Sequence, residues 1–221
     1  MIRKTILTAT FVTLAAGSAL AQDPRVEISG TAGWTFSDGV SGEARTVPGV
    51  GTFDRVDPKD AFSWGARIGF NATPNVEVGF LFNQQSTQYE LGGTATFEVG
   101  DVSVRNYHGY VAYNFGDSDA AVRPYVLGGL GATQYGTLDV SVGGFDRSVD
   151  GDTQFSSTWA LGVKLFPSPR FGLRLEGRWT PTYIKSDAAG WWCDPFWGCY
   201  VVGSAQYANQ FELSGGITLR F

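Results

Sequence analysis

From residue 25 to its last position, the chain alternates large apolar residues with polar or small ones. A period of two marks a strand with unlike faces. "RVEISGTAGWTF" (25–36) sets Val26, Ile28, Ala32, Trp34 and Phe36 against Glu27, Ser29, Thr31 and Thr35. "AFSWGARIGFNA" (61–72) sets Phe62, Trp64, Ala66, Ile68 and Phe70 against Ser63, Arg67 and Asn71. "NVEVGFLFN" (75–83) repeats the pattern with Glu77, Gly79 and Asn83 on the polar row, which Leu81 interrupts. "RNYHGYVAYNF" (105–115) places Tyr107, Val111, Tyr113 and Phe115 opposite Asn106, His108, Tyr110 and Asn114. "STWALGVKLF" (157–166) opposes Trp159, Leu161, Val163 and Leu165 to Thr158, Gly162 and Lys164. "RFGLRLEGRW" (170–179) opposes Phe171, Leu173, Leu175 and Trp179 to Arg174, Glu176 and Arg178. The final stretch, 204–221, opposes Tyr207, Phe211, Leu213, Ile217, Leu219 and Phe221 to Gln206, Gln210, Glu212, Ser214, Thr218 and Arg220. "VRPYVLGGLGATQY" (122–135) has strand composition, but its outward row is ambiguous.

Eight strands result, and their connections alternate in length. Residues 73–75, 116–121 and 167–169 are short turns; 37–60, 86–101, 136–153 and 184–204 are long and rich in Gly, Asp and Ser. Short turns at one end and long loops at the other are the layout of a transmembrane barrel, with turns in the periplasm and loops outside the cell. The fold expected is all-β: a transmembrane eight-stranded antiparallel up-and-down β-barrel. The polar rows then face the lumen and carry Arg67, Lys164, Arg174, Arg178 and Arg220 against Glu27, Glu77, Glu176 and Glu212. A buried charge without a partner costs several kcal/mol, so these nine groups are expected to pair and plug the barrel. A soluble barrel would show the same alternation, but eight rows of large aromatic residues would overfill so narrow an interior.

Composition agrees. The chain is 14% aromatic with 30 glycines, which suits rings gathered at lipid interfaces and tightly curved strands. Residues 1–21 read as an export signal: Arg3 and Lys4, then an apolar stretch, then Ala19-Leu20-Ala21 as a small-x-small cleavage site. The barrel domain is expected to occupy 22–221. Loss of Arg3 and Lys4 leaves 14 cationic against 21 acidic side chains, about −7, which argues against nucleic acid as a partner. No run of about 20 apolar residues follows residue 21, which excludes a helical span.

"FELSGGITLRF" (211–221) ends on alternate Ile217, Leu219 and a terminal Phe221, and looks like the signal read by the barrel assembly machinery. With "RPYVLGGLGA" (123–132) and "FGLRLEGRW" (171–179), the chain resembles the OmpA-like and opacity-protein-like family of eight-stranded outer-membrane barrels over essentially all of 22–221. The resemblance implies a Gram-negative outer membrane, contact with outer-membrane lipid and lipopolysaccharide, and no cofactor. Unlike full-length OmpA proteins the chain stops at the last strand, so tethering to the cell wall is not expected.

Candidate chemistry is sparse. His108 is the only histidine, and Tyr110 rather than serine stands two residues on. Ser63 or Ser214 could approach it only across the barrel, and the simpler expectation is a lumen histidine hydrogen-bonded to the charge cluster. Glutamate pairs such as Glu176 with Glu212 or Glu77 are flanked by arginines, which favours salt bridges over acid–base catalysis. "DRSVDGDT" (146–153) lacks the spacing and closing glutamate of a calcium loop. "GGLG" (128–131) precedes no helix and is not a phosphate cradle. No catalytic residue and no metal site are expected.

The most apolar segment lies in the fourth loop: "GWWCDPFWGCYVVG" (190–203). Cys193 and Cys199, in an exported chain, suggest a disulfide closing a short ring. Trp191, Trp192, Pro195, Phe196, Trp197 and Tyr200 would be gathered at its tip. Three readings stay open: a cap over the barrel mouth, a dip into the outer leaflet, or a patch for a host or protein partner. The function expected is envelope-structural and adhesin-like, through four external loops. The alternatives are a narrow pore and, behind it, a lipid-modifying enzyme using His108.

Overall fold

The computed structural model describes the backbone of residues 25–38, 40–47, 51–93, 97–142, 145–183, 193–194, 198–199 and 207–221. Side chains are described for 25–38, 58–88, 100–137, 150–183 and 207–221. Eight long strands form the wall: β1 (Val26–Ser37), β2 (Ala61–Asn71), β3 (Val76–Gly93), β4 (Phe97–Asn114), β5 (Val122–Tyr135), β6 (Thr153–Leu165), β7 (Phe171–Tyr183) and β8 (Tyr207–Arg220). Each pairs antiparallel with its neighbours in sequence, and β1 pairs with β8 from Glu27↔Arg220 to Ser37↔Gln210. The sheet therefore closes, and no strand edge is left along the wall.

The burial pattern inverts that of a water-soluble protein. Arg67, Glu77, Lys164, Arg174 and Glu176 are buried, whereas Phe62, Trp64, Leu161, Leu213 and Ile217 stand exposed. Every apolar row read from the sequence faces outward. An upper belt includes Trp34, Trp64, Trp159, Trp179 and Phe211; a lower one includes Phe70, Tyr113, Phe115 and Phe171. Trp64 and Phe70 lie six residues apart on β2, about 20 Å along a strand. That spacing matches an apolar band flanked by aromatic girdles.

The short turns are locally braced. Asn75 Nδ2 donates to the carbonyls of both Asn114 and Gly116, tying two turns together at 2.8 Å each. Gly116 adopts φ 85°, a backbone conformation that a side chain would strain.

The long connections differ from the loops expected. β3 and β4 each run 18 residues, where about 9–11 suffice to cross a bilayer. Their pairing continues well past Asn83, where the sequence reading ended the strand. Residues 40–47 and 51–58 pair with each other, and 51–58 joins the upper part of β3. Residues 138–142 and 145–149 form another ribbon. The reason is physical. Beyond the membrane both faces of a ribbon meet water, so the polar–apolar alternation fades while the backbone pairing persists.

Two inward glycines carry the lumen packing. Gly131 sits in the ladder between His108 and Ser156, and Gly162 between Tyr125 and Glu176. In each case the missing side chain lets the flanking pair reach one another across the intervening strand. A Cβ at Gly131 would lie 1.9 Å from the Tyr107 carbonyl oxygen. Gly131→Val is therefore expected to abolish the compact, heat-modifiable band of folded barrel on an unheated gel. Gly177→Val, an outward position whose nearest neighbour is Leu213 Cδ2 at 3.5 Å, is expected to keep it.

Candidate functional site

Among the described residues buried charge concentrates in the lumen, and its groups come from seven of the eight strands. At mid-height Arg67 of β2 reaches Glu176 of β7 across the lumen in a two-pronged pair, with nitrogen–oxygen distances of 2.9 and 2.8 Å. Tyr125 donates its hydroxyl to the same carboxylate over Gly162. Nearer the periplasm, Lys164 bonds Glu27 at 2.7 Å and also Glu77. Tyr110 donates to Glu77, Arg220 bonds Glu27 at 3.0 Å, and Arg174 lies 3.5 Å from Glu27 and 3.9 Å from Glu77. Toward the outer end Arg178 pairs with Glu212 at 2.6 Å. The structure thus brings together all nine charged residues that the sequence placed inside.

The lumen is not lined by charged and polar groups alone. Leu81, Tyr110, Ala112, Tyr125, Leu127 and Ala160 form an apolar wedge on the side built by β3 to β6. Leu81 is part of this wedge rather than an exception in a polar row. The sequence reading also missed Arg123 and Tyr125, both buried in the lumen. Both rows of β5 contain apolar and small residues, and its pairing with β4, Asn114↔Tyr125, puts the row of Arg123 and Tyr125 inside.

Above the charges lies a neutral polar layer. Asn106, Thr133, Ser156, Thr182, Gln85 and Gln210 are linked by hydrogen bonds of 2.7–3.2 Å. His108 belongs to this layer and not to the charge cluster as expected: its Nε2 lies 2.9 Å from Ser156 Oγ. Neither Ser63 nor Ser214 is the partner. The register across Gly131 selects Ser156, which no local spacing reveals. The pair has the outline of a nucleophile and base. However, Nδ1 of His108 has no protein partner to orient the ring, Ser156 also bonds Thr133, and both residues are fully buried. Among the described residues no group of three or more His, Cys, Asp or Glu side chains could hold a metal ion.

Ile217, Leu219 and Phe221 all face outward at the periplasmic end of β8. Cys193 and Cys199 stand directly opposite one another in a two-residue ladder at the fourth loop. Trp191, Trp192, Pro195, Phe196, Trp197 and Tyr200 lie outside the described residues, as does the 1–21 segment.

A closed wall with an outward apolar band and a charged lumen is the architecture of an outer-membrane barrel, and the model of the outer membrane protein beta-barrel domain matches residues 7–215. The chain belongs to that family. Among solved structures, the outer membrane protein OprG from Pseudomonas aeruginosa is similar with a TM-score of 0.61, at 13% identity, over 90% of this chain and 96% of that one. Outer membrane protein AlkL in lipid bilayers gives a TM-score of 0.53 at 14% identity, over 97% of each chain. Neisserial surface protein A gives 0.50 at 17% identity, over 89% of this chain and 97% of that one. At these identities the likeness is one of fold. No curated protein matches the sequence.

Proposed function

We propose that this barrel is a non-catalytic, non-conducting envelope protein that acts through what it displays outside the cell. The observation that supports this reading is the lumen. Charge pairs at three heights and a neutral hydrogen-bonded layer cross it, while β3, β4 and the ribbons at 40–58 and 138–149 extend beyond the band. Chemistry along the axis is thereby disfavoured and recognition at the outer end favoured. In this reading the outward rows contact outer-membrane lipid and lipopolysaccharide, and Ile217, Leu219 and Phe221 serve the assembly machinery. Cys193 and Cys199, opposed in register, form a disulfide that presents the aromatic tip to a host or protein partner. The protein reaches the outer membrane of a Gram-negative cell by way of a cleaved export signal.

The test uses cells lacking the barrel, complemented with the full chain or with a form whose four connections are trimmed to short turns. Two quantities are compared, adhesion to epithelial monolayers and resistance of the envelope to detergent. The trimmed form is expected to restore resistance and to lose adhesion. Equal adhesion by both forms would remove the surface-interaction role.

A further inference from the structure

The periplasmic end of the lumen differs from the rest in its charge. At mid-height Arg67 and Glu176 cancel, and toward the outer end Arg178 and Glu212 cancel. At the periplasmic end Arg123, Lys164, Arg174 and Arg220 face only Glu27 and Glu77. Three of these cations sit side by side on adjacent strands, Arg123↔Lys164 and Lys164↔Arg174 being direct partners in the ladder. Like charges so placed repel. Lys164 and Arg174 turn toward the two carboxylates, but these are already shared with Arg220 and Tyr110. Arg123 has no carboxylate at all: it is 2% exposed and donates only to the Pro74 carbonyl, at 2.6 Å.

Unused hydrogen-bonding groups also lie at this end of the lumen. Arg123 Nε, Arg220 Nη2 and both polar atoms of the Asn114 side chain are buried without a protein partner. Asn114 is directly opposite Tyr125, so its side chain lies diagonally next to Arg123 on the lumen face. Arg123 reaches the turn at 73–75, and Arg220 donates to the Ser118 carbonyl of the turn at 116–121, at 3.4 Å. The braced pair of turns therefore roofs the group. The other charged side chains at this rim, Arg25 and Arg170 against Asp117 and Asp119, are exposed and balanced. Buried polar atoms are normally paired, and a buried guanidinium without a counter-charge is costly.

We infer that the periplasmic end of the lumen is a binding site for a small oxyanion of the phosphate class, held by Arg123, Arg220 and the Asn114 amide. A dianion cancels the two surplus charges and accepts from all three unused donors, which are charge-assisted in the arginines. Asn114 Nδ2 supplies a neutral donor. The strand wall separates these groups from the leaflet, so the ligand is a free anion entering past the turns rather than a lipid headgroup.

The test is a titration of the refolded barrel with inorganic phosphate, in a detergent without phosphate. Chloride at matched ionic strength is the control, and NMR reads the Asn114 side-chain amide and the Arg123 Nε–H. Saturable shifts at both groups are expected with phosphate and only a weak, linear drift with chloride. Arg123→Met is expected to weaken the response about tenfold or more. Asn114→Asp, which places a carboxylate at the site, is expected to abolish it, and serves alone if Arg123→Met does not fold. Linear, phosphate-independent drift in the unaltered barrel would overturn the inference. So would an unchanged saturation curve in a folded variant. Saturation that appears only when anionic phospholipid is supplied would assign the site to headgroups and overturn the free-anion proposal.

Discussion

Glu176→Gln is expected to destabilise the folded barrel by about 3–5 kcal/mol, because removing one partner of a buried ion pair strands the other. Glu176 accepts two bonds from Arg67 and one from Tyr125, and both members of the ion pair are nearly inaccessible to solvent. Glutamine keeps the shape but cannot neutralise the guanidinium. Arg67 cannot find another carboxylate, since Glu27 and Glu77 are already surrounded by cations. Urea unfolding of the barrel in lipid vesicles, followed by tryptophan fluorescence, measures the change. The double variant Arg67→Met/Glu176→Leu is expected to recover most of the loss, since replacing a whole buried pair with apolar groups is often neutral or better. A double variant no more stable than Glu176→Gln would show that the shape of the pair matters more than its charge.

The second large effect is on the outside of the wall. Leu161→Arg is expected to cost about 2–4 kcal/mol, the range for a basic residue on the lipid face near the midplane. Leu161 is 67% exposed and flanks a shallow outward groove with Val163, Leu175 and Leu213 over Gly177. In water, arginine at so open a position would be almost neutral, and only a hydrocarbon surrounding makes it costly. Gln88→Arg, also outward but on the part of β3 that projects beyond the aromatic belt, is the control. It is expected to change stability by less than about 1 kcal/mol. Equal effects at the two positions would contradict the placement of the apolar band.

These predictions rest on features of unequal legibility in the sequence. The wall was readable because lipid outside and charge inside sharpen the alternation: Trp34 against Thr35 and Leu175 against Glu176 leave little choice of face. The strand at 122–135 was not readable, because Arg123, Tyr125 and Leu127 point inward while Val122, Val126 and Leu130 point outward, and both rows contain apolar groups. The apolar wedge around Leu127 and Ala160 was hidden for the same reason. Pairings across the lumen lie further out of reach. His108 and Ser156 are 48 residues apart and meet only because two registers place Gly131 between them. Arg67 and Glu176, 109 residues apart, were each placed inside from their own strands, but their partnership depends on closure of the whole wall. The ribbon formed by 40–47 and 51–58 looks like a loop in the sequence because backbone pairing in water leaves no strong mark on side-chain polarity.

The central claim is that a side-chain plug fills the lumen, leaving the outer ribbons as the working part of the molecule. Single-channel recording in a planar bilayer tests it most directly, using mature barrel whose folding has been verified by the gel shift between heated and unheated samples. The expected result is silence from the unaltered protein across the voltage range in which the bilayer is stable. Reproducible conductance steps from that verified, folded barrel would contradict the account and make the lumen charges the lining of a pore.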